Sequence, residues 1–92
     1  MYNIGDIVRA TAGRDGDRLF VVVGIIDEAY VKIANGKSRR ADAPKRKKVK
    51  HIELFRAAPE GFVEGLNLKN GKFTNAVLRK IITEYNQSNE EN

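Results

Sequence analysis

Seven Lys or Arg side chains and a single carboxylate occupy the thirteen positions RRADAPKRKKVKH, Arg39 to His51. With Lys37 in front of them, Arg39, Arg40, Lys45, Arg46, Lys47, Lys48 and Lys50 form a set of cations that can each neutralise a phosphate, the arginines bidentately. Such contacts give affinity and position on a polyanion without reading bases. The rest of the chain is charge-balanced. Residues 1–36 carry four basic and five acidic side chains, residues 37–56 nine and two, and residues 57–92 four and five, so the whole net charge of +5 comes from one segment. Like charges crowded into twenty residues repel each other in a compact state, which points to association with an anion; the competing reading is a solvated loop that serves solubility. No aromatic residue lies between Tyr30 and Phe55. Base stacking is therefore not evident in the basic stretch, and the expected partner is structured nucleic acid.

The other residues do not assemble into a catalytic pattern. His51 is the one histidine, and Ser38 and Ser88 are the serines, so a nucleophile–base pair requires Ser38 to meet His51 with nothing in the spacing to demand it. "NGKS" (Asn35 to Ser38) matches the end of a phosphate-binding loop, but Val31 stands where its first glycine belongs. Asp15 and Asp17 alternate with basic residues and lack further ligands at calcium-loop spacing, which suits turn capping. Cysteine is absent, so no disulfide framework or thiolate metal site is available. The expectation is a protein that is not an enzyme and takes no metal or cofactor.

Length and hydropathy pattern supply the elements that must present the basic stretch. Ninety-two residues make one domain, which buries roughly 60 to 65 % of its unfolded surface. No apolar run is long enough to span a membrane, and MYNIGDIVRA lacks the basic start and apolar centre of a secretory signal; a cytoplasmic location is expected. "DIVRAT" alternates Val8 and Ala10 against Ile7 and Arg9 as a strand, and "AGRDGD" breaks it with a tight loop. "RLFVVVGII" is the central strand, with Gly24 marking a bulge. Asp27-Glu28 turns into a strand from Ala29 to Ala34, with Val31 and Ile33 inward and Tyr30 and Lys32 outward. Asn35-Gly36 predicts a type I′ hairpin turn, which places Arg39 and Arg40 on or just past the return strand. "ADAPKRKK" is then a loop, because Pro44 does not suit a central strand, and "VKHIELF" is the last strand with Ile52 and Leu54 inward. Residues 57–73 read as a connector. In "FTNAVLRKIITEYNQ" the residues Val77, Leu78, Ile81, Ile82 and Tyr85 share a helical face, Thr74 is the N-cap, and Phe73 and Leu78 form a staple. The expected organisation is a strand unit over 1–56, a helix over 74–87 packed on it, and a frayed tail over 88–92. With no crossover helix between the strands, a mostly β fold follows, a small open SH3-like barrel of about five strands with a C-terminal α-helix.

"GDIVRATAGRDGDRLFVVVGIIDEAYV" (Gly5 to Val31) resembles the KOW motif: a glycine and short apolar strand, a glycine-containing loop, a long apolar strand and a turn into a third strand. The continuation "IANGKSRRADAPKRKKVKHIEL" is similar to bacterial KOW-domain RNA-binding proteins related to the large-subunit ribosomal protein fourteen-e family, and the helical tail looks similar too. The resemblance implies an SH3-like barrel that binds RNA, ribosomal RNA in the ribosomal relatives. It implies RNA contacts from the first loop, Ala12 to Arg18, with Gly13, Arg14 and Arg18 foremost, and from the basic loop between Arg39 and Lys50, with His51 beside it. Ribosomal members often carry long basic extensions, whereas this chain ends NQSNEEN, which suggests an accessory or assembly role beside permanent ribosomal residence. The alternative reading is a protein-interaction module, like the KOW domain of NusG elongation factors, docking on ribosomal or transcription proteins.

Overall fold

Leu19 to Ile25 is apolar at consecutive positions, not at alternate ones, so both faces of that strand have to be covered. The computed structural model, which describes residues 1–14 and 16–90 (the last five as backbone only), covers each face differently. Five antiparallel strands, β1 (Ile7–Ala10), β2 (Leu19–Ile25), β3 (Tyr30–Ala34), β4 (Lys45–Lys48) and β5 (Ile52–Arg56), form one sheet in the order β4-β3-β2-β1-β5. A 3₁₀ turn, Val49–His51, is the whole connection between the two edge strands. In a flat five-stranded sheet those edges stand about 19 Å apart, at about 4.8 Å per strand, and three 3₁₀ residues span only about 6 Å. The sheet is therefore curled. Its inner face packs Val8, Ala10, Phe20, Val22, Val31, Ile33 and Ile52 into one core, with Tyr2 and Val49 against it.

The outer face at β1 and β2 is sealed by the C-terminal part of the chain. Ile7, Val21 and Ala34 meet Leu78 and Ile81 of α2 (Asn75–Glu90) in a second core, flanked by Val77, Ile82 and Tyr85. Thr74 caps α2 by accepting a hydrogen bond from Val77 N (3.2 Å), and Phe73 and Leu78 pack in the same cluster, as the sequence pattern expects. The connector is more ordered than its glycines suggest. It contains α1 (Phe62–Gly65) and a 3₁₀ turn, Lys69–Gly71, and it places Phe62 and Leu66 against the second core.

Asp6, buried to 3 % exposure, fastens the connector to the start of the chain. Its two carboxylate oxygens accept hydrogen bonds from Asn3 N (2.8 Å) and Ala58 N (2.9 Å), so one side chain ties the segment before β1 to the segment after β5. Nearby, burial first and then the carboxylates of Asp6 and Glu53 push the Tyr2 phenol above its ordinary pKa, which keeps it a neutral donor facing the Ile52 carbonyl.

Several expectations are corrected. Lys45–Lys48 is a strand, not a loop, and the last strand begins at Ile52, since Val49–His51 is a 3₁₀ turn. Pro44 immediately precedes β4, where its missing N–H breaks no ladder, and an edge strand tolerates charge on both faces. Leu54 pairs with Val8 but is 52 % exposed, because β5 is the free edge of the sheet. Asn35-Gly36 is not a type I′ turn: only Gly36 takes positive φ (80°), and Asn35 N and Gly36 N both donate to the Arg39 carbonyl. The bulge at Gly24 is present as a register shift between Val22 and Gly24. The helix runs to Glu90, three residues beyond expectation, and the final two positions of the predicted tail, like Asp15, lie outside the described residues. None of the described helices is long and apolar enough to cross a membrane.

Two substitutions test this packing by urea denaturation. Leu78→Ala removes a fully buried side chain from the second core and is expected to lower the unfolding free energy by about 2 to 5 kcal/mol. Asp6→Ala leaves Asn3 N and Ala58 N without their acceptor and is expected to cost about 2 to 4 kcal/mol, with Asp6→Asn, which keeps one oxygen, in between. An unchanged midpoint in Leu78→Ala would mean that α2 does not seal the sheet.

Candidate nucleic-acid interface

The strand period sorts the basic residues of β4. Its register against β3 pairs Ile33 with Lys45, Lys32 with Arg46, Val31 with Lys47 and Tyr30 with Lys48. Lys45 and Lys47 thus lie on the side of the inner core, and Arg46 and Lys48 on the outer side with Lys32 and Tyr30. Lys47 is only 8 % exposed, and its Nζ donates to the Ala12 carbonyl at 3.1 Å. Its stem lies along the apolar interior while the ammonium reaches the first loop, so it is a strut inside the interface and not one of its outward charges. Lys45 is half-buried.

On the outer side the geometry is different. The Arg46 guanidinium carbon stands 4.0 Å from the centre of the Tyr30 ring, a cation–π stack across the two strands. Lys32, directly opposite Arg46, is exposed, and so are Arg46, Lys48 and Lys50. Like charges directly opposite on a sheet destabilise it, so this face holds repulsion that an anion relieves. Beside the stack is a depression of about 470 Å³ lined by Glu28, Ala29, Tyr30, Lys48, Val49 and Lys50. The Asp27 carboxylate supports this end of β3 by accepting from Ala29 N (2.8 Å) and Tyr30 N (2.9 Å).

The remaining basic residues gather elsewhere. In the first loop Gly13 takes φ 82° and Asp17 φ 66°, Asp17 N donates to the Ala10 carbonyl, and Arg14 and Arg18 are exposed. Arg18 shares a second depression with Asp17, Asn35, Lys37 and Ser38. The segment from Asn35 to Pro44 is held at two levels. Asn35 Oδ1 accepts from Lys37 N and Arg39 N (2.9 Å each), and α2 docks the loop through Asn75 Oδ1, which accepts from Ala41 N (2.8 Å), and Arg79, which donates to the Gly36 carbonyl (2.8 Å). A Cβ at Gly36 would collide with the Asn75 carbonyl oxygen, so glycine is needed for that approach as well as for its φ. Arg39 is half-buried. Arg40 is exposed and pairs with Asp42 at 3.7 Å, a contact worth about 0 to 1 kcal/mol at such exposure.

The expected site residues therefore fall into three places. Arg46, Lys48 and Lys50 share the outer edge; Arg18 and Lys37 share the loop end beside Ser38; Lys47 ties the Gly13 loop to β4 from within. His51 is half-buried in the turn between β4 and β5, where its carbonyl accepts from Thr11 N, while the Ser38 hydroxyl accepts from Asn35 Nδ2 in the loop on α2. Tyr30, Asn75 and Arg79 were not among the expected residues. The alternation of β3, which turns Tyr30 and Lys32 outward together, is the signal that could have found Tyr30. No protein-family model matches the chain, and no curated protein matches it significantly.

The strut role of Lys47 separates it from its neighbour. Lys47→Met keeps the stem but loses the hydrogen bond to Ala12, and it is expected to lower the thermal midpoint and to speed amide exchange at residues 12–14, 16 and 17. Lys48→Met, on the exposed face, should leave both within error. Equal effects from the two would contradict the inward placement of Lys47.

Proposed function

We propose that the chain is a non-catalytic RNA-binding protein of the KOW kind, engaging structured RNA, ribosomal RNA foremost, with the outer edge of its sheet and the Gly13 loop. The observation that carries this reading is the outer side of β3, β4 and the following turn, where Lys32, Arg46, Lys48 and Lys50 are exposed together with no carboxylate on β4. The strand order, with β5 beside β1, supports an SH3-like barrel for the curled sheet. The Lys47 link to Ala12 supports treating the first loop and β4 as parts of one surface.

A second surface favours the protein-docking reading. Met1, Ile25 and Ile26 are exposed, and Met1 and Ile25 line a largely apolar depression with Tyr2, Val31 and Val49, with Asp27 and Glu28 also on its wall. Docking through that surface is compatible with RNA binding at the other, but on its own it makes RNA affinity weak and insensitive to β4.

Mobility shift with structured ribosomal RNA fragments decides between them. With about four to six phosphates engaged, log K against log salt is expected to slope at roughly −3 to −5. Changing Arg46, Lys48 and Lys50 together to Ala should make the slope shallower by about 2 to 3 and weaken all sequences alike, with the thermal midpoint preserved because these side chains are exposed. A flat salt dependence, or no RNA binding together with salt-resistant co-sedimentation with large particles from a lysate, would favour protein docking.

A further inference from the structure

The Tyr30–Arg46 stack does something that phosphate contacts cannot. The Arg46 guanidinium carbon lies over the Tyr30 ring, 4.0 Å from its centre, so the cation is backed by the ring on one side, and Arg46 is exposed. Tyr30 is half-buried and fixed in β3 by register and by the Asp27 turn, so the cation is held on a rigid support. A flat cation backed by an aromatic ring is a stacking platform for a nucleobase. A base inside a paired stem offers only its edges, and its plane is reachable only when it is unpaired. Beside the platform, the depression between Tyr30 and the turn is lined by Lys48 and Lys50, which can take phosphates, and by Glu28. The carboxylate repels a phosphate backbone, which the lysines attract, and it can accept hydrogen bonds from base N–H groups.

We infer that the outer face of β3 and β4 receives one unpaired base, bulged or looped out of a structured RNA, stacked on Arg46 with its phosphates on Lys48 and Lys50. This rests on the RNA-binding reading and deepens it, from a surface that holds any folded RNA to one that selects RNA with an extruded nucleotide.

The test uses two RNA hairpins identical except for one extra unpaired 2-aminopurine nucleotide in the stem. Affinities for the full-length wild type and for Arg46→Lys, which keeps the charge and loses the plane, are measured by mobility shift at fixed salt, with 2-aminopurine fluorescence and thermal midpoints alongside. The wild type should bind the bulged hairpin at least about fivefold more tightly than the paired one and change the fluorescence of the unpaired base. Arg46→Lys should keep its affinity for the paired hairpin within about twofold and lose the preference. Equal binding of both hairpins by the wild type overturns the inference and leaves the RNA-binding reading standing, whereas binding of neither overturns both. A preference that survives in Arg46→Lys overturns the platform, and so does a lowered midpoint with the preference intact, since the stack would then serve only to hold β3 and β4 together.

Discussion

The central constraint is a strand with two apolar faces. Phe20 and Val22 point one way from β2, and Leu19, Val21 and Val23 the other, so neither face can be left to water. Curling the sheet gathers the first face into one core, but the same curl cannot cover the second, which is convex. That face needs a separate element, and α2 supplies it with Leu78 and Ile81. Burying two such side chains is worth about 3 to 6 kcal/mol, a large part of the stability of a domain this small. The cover then acquires a second task. Its first turns lie against the segment between β3 and β4, where Asn75 and Arg79 hold the backbone at Ala41 and Gly36. The basic segment is thus positioned by a helix whose own placement is dictated by the hydrophobicity of β2.

Charge at β4 answers two demands at once. An edge strand offers unpaired backbone groups to any passing strand, and lysines along it discourage that pairing. A charge or two suffices for such protection, but here the outer charges of the edge, Arg46 and Lys48, are joined by Lys32 of β3, set directly across from Arg46. Repulsion of this kind is partly relieved by laying the guanidinium on Tyr30 and further relieved by a polyanion, which fits the proposed role better than edge protection alone.

The elements that repeat a simple period are legible in the amino-acid sequence. β1, β3 and α2 follow their hydropathy alternation or helical stripe, and the Thr74 cap and the packing of Phe73 and Leu78 in one cluster follow from local chemistry. β4 is not legible in this way, because KRKK has no apolar alternation to read: its inward residues are lysines, and Lys47 is buried only because Ala12, thirty-five residues away, offers it an acceptor. Asp6 is hidden for the same reason, since its partner Ala58 is distant in sequence. Asn35-Gly36 misleads because a strong local turn preference loses to the contact with α2. The candidate site shares these limits. Its charges are countable, but their division into a strut, an outer edge and a loop end depends on register.

That division bears on how such a surface could bind. Ordering a free lysine or arginine on a ligand costs up to about 2 kcal/mol of side-chain entropy. Arg46 is already held by the Tyr30 ring, on a strand whose inward Lys47 is tied to the Ala12 carbonyl, so little of that entropy remains to be lost at the centre of the proposed interface. Lys48 and Lys50 are exposed beside it, and Arg14 and Arg18 in the first loop, and such side chains adjust to phosphates whose positions vary from one RNA to another. In the proposed interface a fixed centre and an adaptable rim would make different contributions: the rim would supply salt-dependent affinity for any folded RNA, and the centre, where geometry is set in advance of binding, is where discrimination between RNAs would arise.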